Sequence, residues 1–134
     1  MNAERLHRLA EDFGLLLVVQ FGSTVTGRAR PDSDLDIGVL AGRRDLSLEE
    51  ELELQASLQR AAGERQVDLV VLDRADPLLL GQVARDARLL WGDPQRFYAW
   101  KMYAYRRYQD HRPYLAMERA YIRREREARR PTPS

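Results

Sequence analysis

Gly22-Ser23-Thr24-Val25-Thr26-Gly27-Arg28-Ala29-Arg30-Pro31-Asp32-Ser33-Asp34-Leu35-Asp36 is the stretch on which the reading of this chain turns. Before it, Leu15–Phe21 is an apolar run broken only by Gln20, the length of a buried strand. After it, Asp34–Leu40 alternates as a second strand, and between them Thr24–Arg28 can form a short helical turn and Pro31-Asp32-Ser33 is turn chemistry. A glycine closing a strand lets a ligand come close to the backbone. If the next residues open a helix, their free N–H groups favour phosphate. Ser23 adds a hydroxyl, and Gly27 keeps the far side of the turn open.

Residues two apart on a strand face the same way, so Asp34 and Asp36 project together. Bare carboxylates on one face repel and resist ionisation. A magnesium ion removes that penalty, and oxygen donors are its preferred ligands. Two-metal phosphoryl-transfer sites bridge their ions with carboxylates. A third carboxylate completes such a site or accepts the proton of the nucleophile. Asp68, between Val67 and Leu69 in the apolar run Gln66–Leu72, is the candidate, because a charge in such a run needs a reason. Asp73, after the same run, is the fallback.

Around this stretch, helical spacing covers Ala3–Asp12 and stops at Gly14. Strong helix formers fill Leu46–Ala62, with Ser47 and Glu50 spaced as a capping box and Gly63 as the stop. Asp76-Pro77 opens a further helix, Arg88–Trp91 is a short strand, and Gly92-Asp93-Pro94 closes it. From Pro94 the remainder reads as helix with a break or kink at Pro113, and 131–134 form a frayed, disordered tail. Strand and helix alternate, which makes the body an α/β or α+β domain, helices on a small sheet. The division is a core at 1–93, a helical extension at 94–130 that packs on the core or on a partner, and the tail.

The chain has 134 residues and no cysteine, so thiol catalysis and Cys-based zinc sites are excluded. Two histidines argue against a zinc enzyme. The charged N-terminus and the shortness of the apolar runs predict a soluble, cytoplasmic protein with no membrane partner. Net charge is +1, but residues 1–93 carry 11 Arg against 17 acids and residues 94–134 carry 11 Lys and Arg against 4. Eight of the eleven aromatic residues also fall in the basic segment, which therefore needs its own explanation.

Gly-Ser followed after ten residues by Asp-x-Asp resembles the signature of the DNA polymerase beta-like nucleotidyltransferase superfamily. The fuller string Gly22-Ser23-x3-Gly27-x-Ala29-Arg30-Pro31-Asp32-Ser33-Asp34-x-Asp36 is similar to its minimal nucleotidyltransferase (MNT) branch. The resemblance covers most of the chain, through Asp68 and the short run at Leu89–Gly92 to the helical tail with Tyr108-Gln109-Asp110. It implies a small mixed sheet flanked by helices, with ATP as substrate and Gly22, Ser23, Gly27 and Ser33 at the nucleotide. It also implies two-magnesium chemistry in which Asp34, Asp36 and Asp68 are both catalytic residues and metal ligands. Many MNT proteins are antitoxins of HEPN-domain ribonuclease toxins, and family members adenylylate a tyrosine near the toxin's active site. The implied function is thus transfer of AMP to such a partner, with a homodimer or a hetero-oligomer left open. Two alternatives are a non-catalytic antitoxin that neutralises by binding and a transferase acting on a small molecule such as an aminoglycoside.

Arg106-x4-His111 fits the ribonuclease motif of HEPN toxins, but the segment is too short for a HEPN bundle. Phe97, Trp100, Ala104 and Tyr108 recur at helical spacing, followed by Leu115 and Ile122, a stripe suited to packing on the body or a second copy. Tyr and Arg, both abundant here, also suit a partner interface. The acidic body argues against a nucleic-acid partner.

Overall fold

A computed structural model describes residues 1–22, 25, 34–43 and 45–128, with side chains left aside at 114–116, 118–119 and 127–128. Within these, α1 (Ala3–Asp12) leads into β1 (Leu17–Phe21), and β2 (Leu35–Leu40) precedes α2 (Leu48–Ala62). Then come β3 (Val67–Val71), a 3-10 turn (Leu72–Arg74), α3 (Pro77–Asp86), β4 (Arg88–Gly92) and α4 (Pro94–Ala128). The expected turns at Thr24–Arg28 and Pro31–Ser33 lie outside the described residues, apart from Val25, whose N–H donates to the Gly22 carbonyl at 3.1 Å.

The four strands form one mixed sheet in the order β3-β2-β1-β4. β1 is antiparallel to both its neighbours, and β2 and β3 run parallel. Period-two alternation sends the side chains of each strand to two separate cores. Val18, Leu35, Ile37, Val39, Val67 and Val71 join α1 and α2 on one face. Leu17, Val19 and Leu72 join Leu80, Val83 and Ala84 of α3 and Trp100 and Ala104 of α4 on the other. Both faces are covered, which is why these strands read as apolar runs rather than as clean alternations.

Helix starts follow the local chemistry. Ser47 caps α2 by accepting the Glu50 N–H at 3.0 Å, and Asp76 caps α3 by accepting the Leu79 N–H at 2.9 Å, with Pro77 in the first turn. Asn2 caps α1 through the N–H groups of Glu4 and Arg5. β1 begins at Leu17, two residues later than its apolar run, because the Leu15 N–H is spent on the Ala10 carbonyl at 2.8 Å, closing α1.

The break expected at Pro113 is absent: α4 continues through it for 35 residues. Proline removes one helical N–H donor, and Pro113 is exposed, on a stretch of α4 outside both cores. The first half of α4 is anchored by the predicted stripe. Trp100 and Ala104 are buried, Phe97 stacks on Trp100 at a centroid distance of 6.3 Å, and Tyr108 lies over Gly81 of α3. A Cβ at Gly81 would stand 2.6 Å from Tyr108 Cδ2, so the absence of a side chain lets α3 and α4 approach closely. Past Ala104 no described residue of α4 belongs to either core, and Met117, Tyr121 and Ile122 are exposed.

Candidate active site

β1 and β2 bring the two ends of the deciding stretch side by side. Phe21 pairs with Asp36 across the antiparallel ladder, so the glycine after Phe21 sits beside that carboxylate. Gly22 has φ +79°, in the left-handed region that favours glycine, and a Cβ built there would overlap the Asp36 carboxylate. Both requirements select glycine at this position.

The parallel pairing of β2 with β3 places Asp68 opposite Asp36. Both belong to the even-numbered positions that face α3 and α4, and Asp34, one residue ahead of β2, shares their parity. Asp36 is half-buried, whereas Asp34 and Asp68 are exposed. Burial is the chief cause that raises the Asp36 pKa above the ordinary carboxylate value, and the charges of Asp68 and Asp34 add to it. β3 is an edge strand, and Asp68 is exposed on it, on the same face of the sheet as Asp36.

Asp73, the fallback, stands elsewhere and is occupied. Its Oδ1 accepts the Ala41 N–H and its Oδ2 the Gly42 N–H, each at 2.8 Å, at the opposite end of β2. Such doubly engaged carboxylates tie a turn to a strand end. Ser23, Gly27 and Ser33 lie outside the described residues. Of the two histidines, His7 accepts from the Trp91 indole at 3.0 Å and pairs with Glu11 on α1, a structural position. His111 lies well along α4 and is engaged in an interaction of its own.

Among the described residues no three ligating groups already converge as an ion cage. The donor set nevertheless suits a hard divalent cation: only carboxylate oxygens, mutually repulsive, beside a glycine that leaves the backbone open. A cation there would relieve the repulsion that raises the Asp36 pKa. Asp36→Asn should accordingly stabilise the metal-free protein. With its pKa raised in the folded chain, Asp36 holds its proton more readily folded than unfolded. Its contribution to stability is therefore largest at low pH and falls as pH rises from the ordinary Asp value through its own. At pH 7 in EDTA the Asn variant should melt about 1–3 °C higher than the parent; an equal or lower melting temperature would contradict this account.

The polymerase beta nucleotidyltransferase family matches residues 4–96, which hold Gly22, Asp34, Asp36 and Asp68. The chain belongs to that family. Solved structures extend the likeness to almost the whole nucleotidyltransferase chain. A toxin–antitoxin structure with AMP-PNP is 31% identical, with 93% of this chain and 98% of that chain covered and a TM-score of 0.73. A tri-AMPylated Shewanella oneidensis HEPN toxin in complex with its MNT antitoxin gives 30% identity, 92% and 93% coverage and a TM-score of 0.67. The MntA–HepT toxin–antitoxin gives 30% identity, 92% and 94% coverage and a TM-score of 0.67. No curated protein is significantly similar. The mixed sheet and flanking helices are the fold of this nucleotidyltransferase family, and no helix among the described residues is long and apolar enough to cross a membrane.

Proposed function

We propose that this nucleotidyltransferase transfers AMP from ATP to a tyrosine hydroxyl of a HEPN-type toxin and acts as its antitoxin. The observation that carries the proposal is the placement of Asp36 opposite Asp68, with Asp34 two residues before it, beside a glycine that admits no side chain. The similar structures that contain an AMPylated HEPN toxin or AMP-PNP support the choice of acceptor and nucleotide.

In this reading Gly22 and Ser23 open the backbone to the triphosphate, with Gly27 and Ser33 completing the nucleotide cradle, and Asp34, Asp36 and Asp68 hold magnesium, in all two ions. Bound magnesium supplies charge neutralisation at the phosphates. The acceptor oxygen forms a bond to the α-phosphorus, the bond from that phosphorus to the bridging oxygen of the β-phosphate breaks, and pyrophosphate leaves. Asp68, on the exposed edge strand, takes the hydroxyl proton. Little covalent chemistry falls to the protein, which acts by positioning and by electrostatics. The core at 1–93 carries the reaction, and the extension at 94–130, with its exposed tyrosines, meets the partner.

Incubation of the protein with magnesium, a HEPN partner and α-labelled ATP should label the partner, whereas γ-labelled ATP should not. Label from neither nucleotide, with the partner still bound, would replace catalysis by simple occlusion.

Gly22→Ala offers a sharper test of the site. Transfer should fall about tenfold or more, because the added methyl must displace Asp36, while the strained φ costs about 1–2 kcal/mol of stability. Undiminished transfer by a folded Ala variant would remove Asp36 from the site.

A further inference from the structure

At the end of the sheet opposite the carboxylates, the face covered by α3 and α4 opens into a groove of about 560 Å³. Its floor is apolar: Leu16, Leu40, Leu72, Leu80 and the buried Trp100. One face of α4 forms its wall, since Arg96, Ala99, Trp100, Tyr103 and Arg107 follow the i, i+3, i+4, i+7, i+11 spacing of a single helical stripe.

The charges of the groove do not cancel. Arg43 is held by Glu50, and the Asp73 carboxylate is spent on the Ala41 and Gly42 N–H groups. Arg96 and Arg107, both exposed, form no ion pair with any described residue. The acids one helical turn away are Asp93, which accepts the Gln95 N–H, and Asp110, and neither forms an ion pair with Arg96 or Arg107. An apolar floor with a few convergent polar groups at the mouth is the usual make-up of a small-ligand pocket. Guanidinium groups at the rim select an anionic head, which they bind through paired N–H donors.

We propose that this groove is a second ligand site, separate from the carboxylate site, for a small organic anion with an apolar or aromatic body. The body lies on Leu40, Leu72 and Trp100, with Tyr103 at its side. The carboxylate, sulfonate or phosphate head meets Arg96 or Arg107. The proposal stands independently of the catalytic reading.

8-Anilinonaphthalene-1-sulfonate is a suitable probe, being an aromatic body with one anionic head, and in a Trp91→Phe background Trp100 is the single tryptophan reporter. Titration of the full chain should give one saturable site with energy transfer from Trp100. Arg96→Ala/Arg107→Ala should weaken it about tenfold or more, without change in far-UV circular dichroism. Asp34→Asn/Asp36→Asn should bind the probe like the parent, and magnesium–ATP should not displace it. Inorganic sulfate should compete far more weakly than benzenesulfonate, because it lacks the body. Unchanged binding by the Arg variant, displacement by magnesium–ATP, or equal competition by sulfate would each overturn the proposal.

Discussion

Replacing Asp34 and Asp36 together by Asn is expected to lower nucleotidyl transfer by about a thousandfold or more, with the fold retained. Asn keeps the size of each side chain and removes the negative charge that a divalent cation requires. The two positions carry no packing role: Asp34 is exposed, and Asp36 sits half-buried beside Gly22 with its charge opposed by its neighbours. The variant should therefore melt at or above the temperature of the parent in EDTA. Transfer of label from α-labelled ATP, measured beside the melting curve, checks both halves at once. Transfer within tenfold of the parent would displace the reaction from this site altogether.

The second large effect concerns stability. Trp100→Ala should cost about 3 kcal/mol, near the lower end for large aromatic truncations because the groove already borders one side of the ring. The side chain is 5% exposed and joins Leu80, Val83 and Ala84 of α3 to α4, with Phe97 stacked on it. A loss of this size should lower the melting temperature by about 10 °C. Thermal unfolding followed by circular dichroism measures it. A shift below about 2 °C would mean that α4 gains little from the core.

The legible part of this chain was the part written in neighbouring residues. Ser47 with Glu50 and Asp76 with Pro77 marked two helix starts, because capping depends on residues three apart. The runs around β1, β2 and β3 marked strands to within two residues, and the stripe from Phe97 to Tyr108 marked the face of α4 that packs. The closeness of Gly22 and Asp36 was legible because the antiparallel pairing joins the two ends of a single connection. What stayed hidden rests on contacts remote in sequence. The edge position of β3, and with it the exposure of Asp68, follows from strand order. The engagement of Asp73 depends on a turn about thirty residues earlier. Pro113 misled because a proline weighs against a helix locally, whereas α4 absorbs one missing donor at an exposed position. The Arg96–Arg107 stripe carried a signal in its spacing, but the Leu floor that makes it a groove comes from the residue before β1, from β2, from the turn after β3, and from α3.

The edge position of β3 bears on solubility as well. Val67-Asp68-Leu69-Val70-Val71 is a short run of high β propensity at the edge of the sheet, where Gln59 and Gln55 of α2 already engage the Val67 N–H and carbonyl. Asp68 is its one charge, and it faces outward. A charge on an exposed edge opposes chain-to-chain pairing by repulsion and by the cost of desolvating it. Replacing Asp68 by an apolar residue is therefore expected to favour self-association, whatever it does to transfer.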